Sequence, residues 1–380
     1  MIGPEITSIP TRSVFHANIA APAVAMAKDA DGVVIAWTEP NADGYDTIHI
    51  ARLDRSGHVD GAIQELPRFF SFDGASAPSI AASPSGRGFT IAWIEHGGAA
   101  YAVLDAKLNP STPSFLISSF PSSVPTPVIV RSGKRTWITA AGTAWQLNDD
   151  GTIHAQYFAG SAASDMTARG DFPQLVSANR VQTTYTCNCY VPPGPLVTCP
   201  NSCRIYQYEY ALGYVNLFSN AQSISLPFDS FLQPSVLNNG REVTVVWFRG
   251  SESSGGDVVA THVDVNSFAN FSAASQSIGS FARDSGVARP DIASDGDHTL
   301  VVWANGAGLS THDIVGSLVD REGKTTPLTI AASADDERDP SVISVGPGTF
   351  LVAYEKIGVT ERRIAGRFVT IAPGRRHAAD

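Results

Sequence analysis

Three glutamates stand just past an aromatic residue that closes an apolar run: Glu39 after Trp37, Glu95 after Trp93 and Glu355 after Tyr354. A pair of carboxylates is what glycoside cleavage requires, one group protonating the leaving oxygen while the other acts on the opposite face of the sugar. Carboxylate oxygens also suit calcium, the one cofactor these residue types suggest. Glu39 and Glu95 are the candidate acid and base, because both occupy the same place in successive sequence repeats. Charge gathers nearby in Asp335-Asp336-Glu337-Arg338-Asp339 and in Arg283, Asp284 and Arg289. The plainer reading of these groups is a solvated rim of ion pairs, such as Arg289 with Asp339.

A second set of candidates is aromatic. Arg68-Phe69-Phe70-Ser71-Phe72-Asp73 and Phe228-Asp229-Ser230-Phe231 put rings beside polar groups, as a carbohydrate or peptide pocket would. Phe69, Phe70, Phe231, Arg289, Asp339 and Glu355 are therefore the candidate ligand-binding residues. The rival role for the rings is to plug gaps between packed elements. Arg169-Gly170-Asp171 spells an integrin-recognition tripeptide, but three residues match by accident easily and a strand-leading loop explains them. Nine histidines are scattered, and only the fold could bring His16, His96 and His312 to one face.

All four cysteines, Cys187, Cys189, Cys199 and Cys203, fall in one segment that also holds Pro192-Pro193-Gly194-Pro195. Two disulfides would staple a loop with little core of its own, and a nested pairing suits a hairpin. Three connectivities remain open. Four thiolates also suit tetrahedral zinc, but C-x-C-x9-C-x3-C lacks the usual C-x2-C knuckles. Disulfides imply a secreted or periplasmic protein. Met1-Ile2-Gly3-Pro4 lacks the basic and apolar regions of a signal peptide, so the chain is either cytoplasmic or numbered after signal removal.

Several chemistries are excluded. There is no G-x-S-x-G, no H-E-x-x-H and no phosphate-binding glycine loop. A formal charge of −10 argues against a nucleic-acid partner, which needs a basic footprint. No apolar run is long enough for a membrane span. Hydrophobic residues make up 43% of 380, ample for a folded core.

The elements that must position these groups follow from a repeat. Pro22, Pro78, Pro127, Pro173, Pro234, Pro290 and Pro340 recur at intervals of roughly 50 residues. Most are followed by an apolar run closed by an aromatic, as in Val33 to Trp37, Phe89 to Trp93, Val243 to Trp247, Leu300 to Trp303 and Phe350 to Tyr354. A further β-type segment follows, as in Asp257 to Asp264 and Asp313 to Asp320, where Asp257 and Asp313 could cap turns by bonding backbone N–H groups. Each unit thus holds four short strands. The second is apolar on consecutive residues, so both its faces are buried. Sheets of four strands, each sandwiched by its neighbours, describe a seven-bladed β-propeller with antiparallel blades. Glu5 to Ile9 is an orphan strand that would complete the last blade and remove an open edge.

The repeat resembles the degenerate propeller repeats of bacterial exported proteins, and the resemblance covers essentially the whole chain. It implies a fold and leaves function open. The expected organisation is one domain over 1–372, with blades starting near 22, 78, 127, 173, 234, 290 and 340. A cysteine insert lies at 187–203 in blade 4, and a polar tail runs over 373–380. The expected function is an exported, monomeric binding or scaffold module for a glycan or protein, met on the face bearing the fourth-to-first and second-to-third loops. The alternative is a glycoside hydrolase or polysaccharide lyase using carboxylates of the blade 7-1-2 sector.

Overall fold

The computed structural model describes residues 1–6, 24–29, 32–68, 74–84, 86, 88–96, 98–111, 115–119, 126–140, 142–158, 163–168, 173–185, 188–189, 197–198, 203–214, 222–226, 234–240, 242–251, 254–264, 275–282, 289–306, 311–359 and 362–371. Among these the chain is all β. Seven four-stranded antiparallel meanders follow one another. In chain order their first strands are Val24–Lys28, Ala75–Ala82, Val128–Ser132, Ala163–Thr167, Ser235–Asn238, Asp291–Ser294 and Asp336–Gly346, and the sheets are numbered 1 to 7 accordingly. Sheet 7 takes its fourth strand, Ile2–Ile6, from the other end of the chain, where Ile2 pairs with Val369 and Ile6 with Gly366. Each first strand lies against the first strand of the next sheet, and that of sheet 7 lies against that of sheet 1.

Three first strands begin before the proline that marked them in the sequence. Sheet 4 begins at Ala163, not near 173, because Pro173 leads into the second strand, Gln174–Tyr185. In sheets 2 and 7 the repeat proline lies inside the first strand, within a break in register. Ala77 and Asp339, the residues before those prolines, have φ of 56° and 47°. A proline has no N–H to donate, so a bulge is where a strand tolerates it. The cysteine insert does join the second and third strands of sheet 4, Gln174–Tyr185 and Cys203–Tyr214, with a two-residue ladder between Asn188–Cys189 and Val197–Thr198.

The second strands form the core. Val34, Ile35, Ala36 and Trp37 are fully buried, as consecutive apolar residues between two sheets must be. The sheets pack closely. A Cβ on Gly279, in the fourth strand of sheet 5, would lie 2.5 Å from the Trp303 ring of sheet 6. The Trp303 indole donates to the Ser280 carbonyl at 3.2 Å.

Side chains join the sheets along their inner edges. Ser79 Oγ in sheet 2 accepts the Ile129 N–H of sheet 3 at 3.1 Å. Asp165 and Thr167 in sheet 4 accept the Val236 and Asn238 N–H groups of sheet 5 at 2.9 and 2.8 Å. Asp291 in sheet 6 accepts the Val342 N–H of sheet 7 at 2.7 Å. At the opposite ends of the sheets, turns between third and fourth strands repeat one motif. Asp54 Oδ1 accepts from the Ser56 and His58 N–H groups, Asp105 from Lys107 and Asn109, and Asp320 from Glu322 and Lys324. The capping acid is thus the one that ends the third strand. Asp257, at the start of its strand, pairs with Arg249 across the hairpin instead.

The contact at Gly279 gives a direct test of sheet-on-sheet packing. Gly279→Ala forces the Trp303 ring aside and should destabilise the protein by about 1–3 kcal/mol, read as a lower denaturant midpoint with an unchanged slope.

Candidate functional site

Glu39, Glu95 and Glu355 lie near the ends of the second strands of sheets 1, 2 and 7, and Asp336 to Asp339 lie at the start of the first strand of sheet 7. Strand geometry decides which of them face each other, because residues two apart share a face and adjacent residues do not. Glu39 and Glu95 stand two residues past their tryptophans. The Trp37 indole N–H donates to Glu39 Oε2 at 2.9 Å, and the Trp93 indole to Glu95 Oε2 at 2.9 Å. Both carboxylates are buried. They are the same bond made in two sheets.

Glu355 stands one residue past its aromatic and so faces the other way. Its cross-strand partner is Arg338, and it forms an ion pair with Arg362. The residue at the Glu39 position in sheet 7 is Lys356. Its ammonium contacts Glu5 Oε2 at 3.0 Å, and Asp335 and Glu337 at 3.7 Å. Tyr354, at the tryptophan position, donates its hydroxyl to Glu5 at 3.1 Å. The Glu5 carboxylate on the N-terminal strand thus takes the place that Glu39 and Glu95 fill from within their own strands. Burial opposes its charge, but the hydrogen bonds from Lys356 and Tyr354 outweigh that and hold its carboxyl below the ordinary range.

The first strand of sheet 7 carries the rest of the cluster. His312 is buried, and its Nδ1 lies 2.6 Å from Asp336 Oδ1, whose Oδ2 lies 2.6 Å from Arg338 Nε. Glu337 is fully buried and accepts from Ser333 Oγ; desolvation pushes its carboxyl up. Asp339 is pushed up to about 6, by desolvation first, with Arg338 and Arg362 opposing and Asp336 adding to it. Burial likewise lowers the Arg362 guanidinium, against the attraction of Asp46 and Asp339.

Arg289 does not pair with Asp339. It reaches Asp165 Oδ1 at 3.0 Å and donates to Ser235 Oγ at 2.9 Å, so it links sheets 4 and 5 from the loop leading into sheet 6. Its charge offsets two acids, Asp165 and Asp291, whose carboxyls desolvation pushes up. The sequence reading missed Asp165, although an acid facing a strand edge is a recurrent feature here. It also missed Glu5 and Lys356, whose meeting depends on pairing the two ends of the chain. Phe69, Phe70, Phe231, Cys187, Cys199, His16 and Arg169-Gly170-Asp171 lie outside the described residues. Cys189 lies on the two-residue ladder of the insert, and Cys203 begins the third strand of sheet 4. Asp29, just past the first strand of sheet 1, is engaged by Arg52 through both oxygens, at 2.9 and 3.0 Å. Among the described residues no group of three or more His, Cys, Asp or Glu is arranged to hold a metal ion.

Asp339 supplies a pH signature. Its folded pKa is raised, so the stability its proton supports is complete below the ordinary value of 3.8 and is lost as pH rises through about 6. Asp339→Asn tolerates the left-handed φ and stays neutral. The variant should match the parent near pH 4 and exceed its stability by up to about 3 kcal/mol near pH 8, compared by denaturant unfolding at both pH values.

No family model matches this chain, and no curated protein matches it. Solved structures do. A protein of unknown function from Dyadobacter fermentans aligns over 97% of this chain and 98% of its own, at 13% identity and a TM-score of 0.52. The β-propeller domain of Cps50 (Swd1) from Myceliophteria thermophila aligns over 97% and 100%, at 12% identity and a TM-score of 0.51. Such identities speak to the fold alone. With repeated four-stranded antiparallel sheets packed edge to edge in chain order, the fold is that of a β-propeller.

Proposed function

We propose that the seven sheets are the blades of one closed, monomeric propeller, that the protein is exported, and that it acts as a binding or scaffold module. Its ligand in this reading is a protein, taken on the loop face where blades 7 and 1 meet. The observation that carries the reading is the fate of Glu39 and Glu95. A hydrolase needs two carboxyl groups converging on one bond. These two are buried and each is bound by the indole of its own strand. A bond repeated from sheet to sheet serves the scaffold.

The choice of a protein ligand rests on the second-to-third hairpins of sheets 7 and 1. Val359 is 95% exposed and Tyr45 39% exposed. Arg68 lies over the Tyr45 ring at 5.2 Å. Aromatic and arginine side chains beside an exposed aliphatic group are the make-up of protein-binding hot spots. The ring closure is supported by the succession of first strands from sheet 1 to sheet 7 and back and by the N-terminal strand pairing with Arg362–Thr370. Export is supported by the confinement of all four cysteines to one insert.

Two experiments bear on this. Alkylation and mass spectrometry of natively purified protein should find two disulfides and no zinc; four free thiols would remove the argument for export. A photo-crosslinking residue at 359 or 45 should trap a discrete protein species in the native host, while one at the exposed Ile153 of sheet 3 should not. Equal labelling at all three positions, or a glycan-array signal lost in Tyr45→Ala, would overturn the protein-ligand reading.

A further inference from the structure

The hairpin between the second and third strands of sheet 4 outruns the sheet that carries it. Gln174–Tyr185 and Cys203–Tyr214 pair along their whole lengths, from Gln174 opposite Tyr214 to Tyr185 opposite Cys203. The first strand of the sheet, Ala163–Thr167, pairs only with residues 174–177, and the fourth, Gln222–Leu226, only with residues 208–212. Beyond them, residues 181–185 and 203–207 pair only with each other among the described strands. At a rise of about 3.4 Å per residue this makes a two-stranded arm about 17 Å long. The ladder of the cysteine insert follows at its tip.

Two features of the arm point to a partner. The first is its edge. Along residues 178–185 no described strand pairs with the outer side of Gln174–Tyr185, whereas the opposite edge is open over 203–207 only. Proteins commonly blunt such an edge with proline, lysine or an inward charge. Here it ends in Val181-Gln182-Thr183-Thr184-Tyr185, with no proline, glycine or charge and with strong strand formers at every place but Gln182. The second feature is the distribution of charge. Residues directly opposite each other share a face, and successive residues alternate. Thr184 stands opposite Arg204, Gln182 opposite Tyr206 and Arg180 opposite Tyr208, so both arginines and both tyrosines fall on one face. Glu209, the one acid of the two strands, stands opposite Asn179 and falls on the other. The arm thus presents a face with two guanidinium-bearing residues and no acid, in a chain whose formal charge is −10.

A strand added at this edge has the same two-residue repeat as the arm, so its alternate residues come level with the arginine and tyrosine face. Acids at those positions are matched by Arg180 on the adjoining strand and by Arg204 one strand beyond. We infer that the arm of sheet 4 takes up an extended, acidic segment of a partner protein by strand addition along residues 178–185. This contact is separate from the one proposed at sheets 7 and 1 and does not rest on it.

Titrating the full chain into a fluorescent peptide of about ten residues, alternating Glu and Val, tests this by anisotropy at low salt. The peptide should bind saturably, one to one, and should slow hydrogen exchange over residues 178–185. A Lys–Val peptide of the same length should bind at least tenfold more weakly. So should the Glu–Val peptide with alternate amides N-methylated, which keeps its charge and loses its ladder bonds. Arg180→Glu should weaken the Glu–Val peptide at least tenfold and tighten the Lys–Val one. Arg131→Gln, at an exposed site in sheet 3, should change neither. Unaltered thermal unfolding of Arg180→Glu would show that the fold is intact, and the comparison of the three peptides on the parent chain needs no variant. No saturable binding, equal affinity for any two of the three peptides, or protection elsewhere than residues 178–185 would each overturn the inference. So would a dimer of the chain alone that Arg180→Glu dissociates, which would assign the edge to a second copy. None of these outcomes touches residues 45 and 359.

Discussion

Every four-stranded sheet in this protein has an inner edge, and that edge is the constraint on which the rest depends. The first strand pairs on one side only, so alternate N–H groups face away from their own sheet. Left alone, such groups invite another chain to pair with them or must be met by water. At three of the junctions the previous sheet meets some of them. Ser79, Asp165, Thr167 and Asp291 each hand an oxygen to an N–H of the following first strand. These bonds fix both the spacing and the stagger of neighbouring sheets. They also put carboxylates where water is scarce, which is why Arg289 is needed between Asp165 and Asp291. A positive charge there opposes the desolvation that pushes both carboxyls up.

The same economy operates at the ends of the second strands. Trp37 and Trp93 are too large to bury with an idle indole N–H, and a glutamate two residues later accepts it. In sheet 7 the aromatic is a tyrosine, the residue two later is a lysine, and the acid arrives from the N-terminal strand. The charge-dense sector is thus a variant of a repeated core device, extended by Asp336, Glu337 and Asp339 on a bulged first strand. Several of its acids are bound by neighbours: Asp336 by His312 and Arg338, Glu355 by Arg362 and Glu5 by Lys356.

Much of the architecture was legible in the sequence because it follows from local patterning. Consecutive apolar residues ending in an aromatic mark a strand buried on both faces, and they mark it in sheets 1, 2, 5, 6 and 7. That the N-terminal segment joins the last sheet was legible from a missing fourth strand, but the sequence reading put that strand at Glu5 to Ile9, whereas the pairing is made by Ile2–Ile6 and Thr7 to Ile9 lie outside the described residues. Pro173 misled because a proline before a strand reads the same whether that strand is first or second. Glu355 misled by a single residue, since one step along a strand reverses the face. The partners of Arg289 were not legible at all. They bring sheets 4 and 5 to a residue far along the chain, and no periodicity within one repeat encodes a contact between repeats.

The pairing of Ile2 with Val369 has a kinetic side. Six of the sheets are local meanders that can form as soon as their own strands exist. The seventh cannot, because one of its strands leads the chain and the others end it. Until the last hairpin is made, Glu5 has no lysine to meet, and Lys356 has no reason to be buried. Loop-closure entropy grows only with the logarithm of length, so the delay costs little at equilibrium. It does place the slowest, least local contacts of the molecule in a single sheet. The last sheet therefore acts as a clasp between the two ends of the described chain, and whatever separates Ile2–Ile6 from Arg362–Thr370 exposes two strand edges at once, one on each.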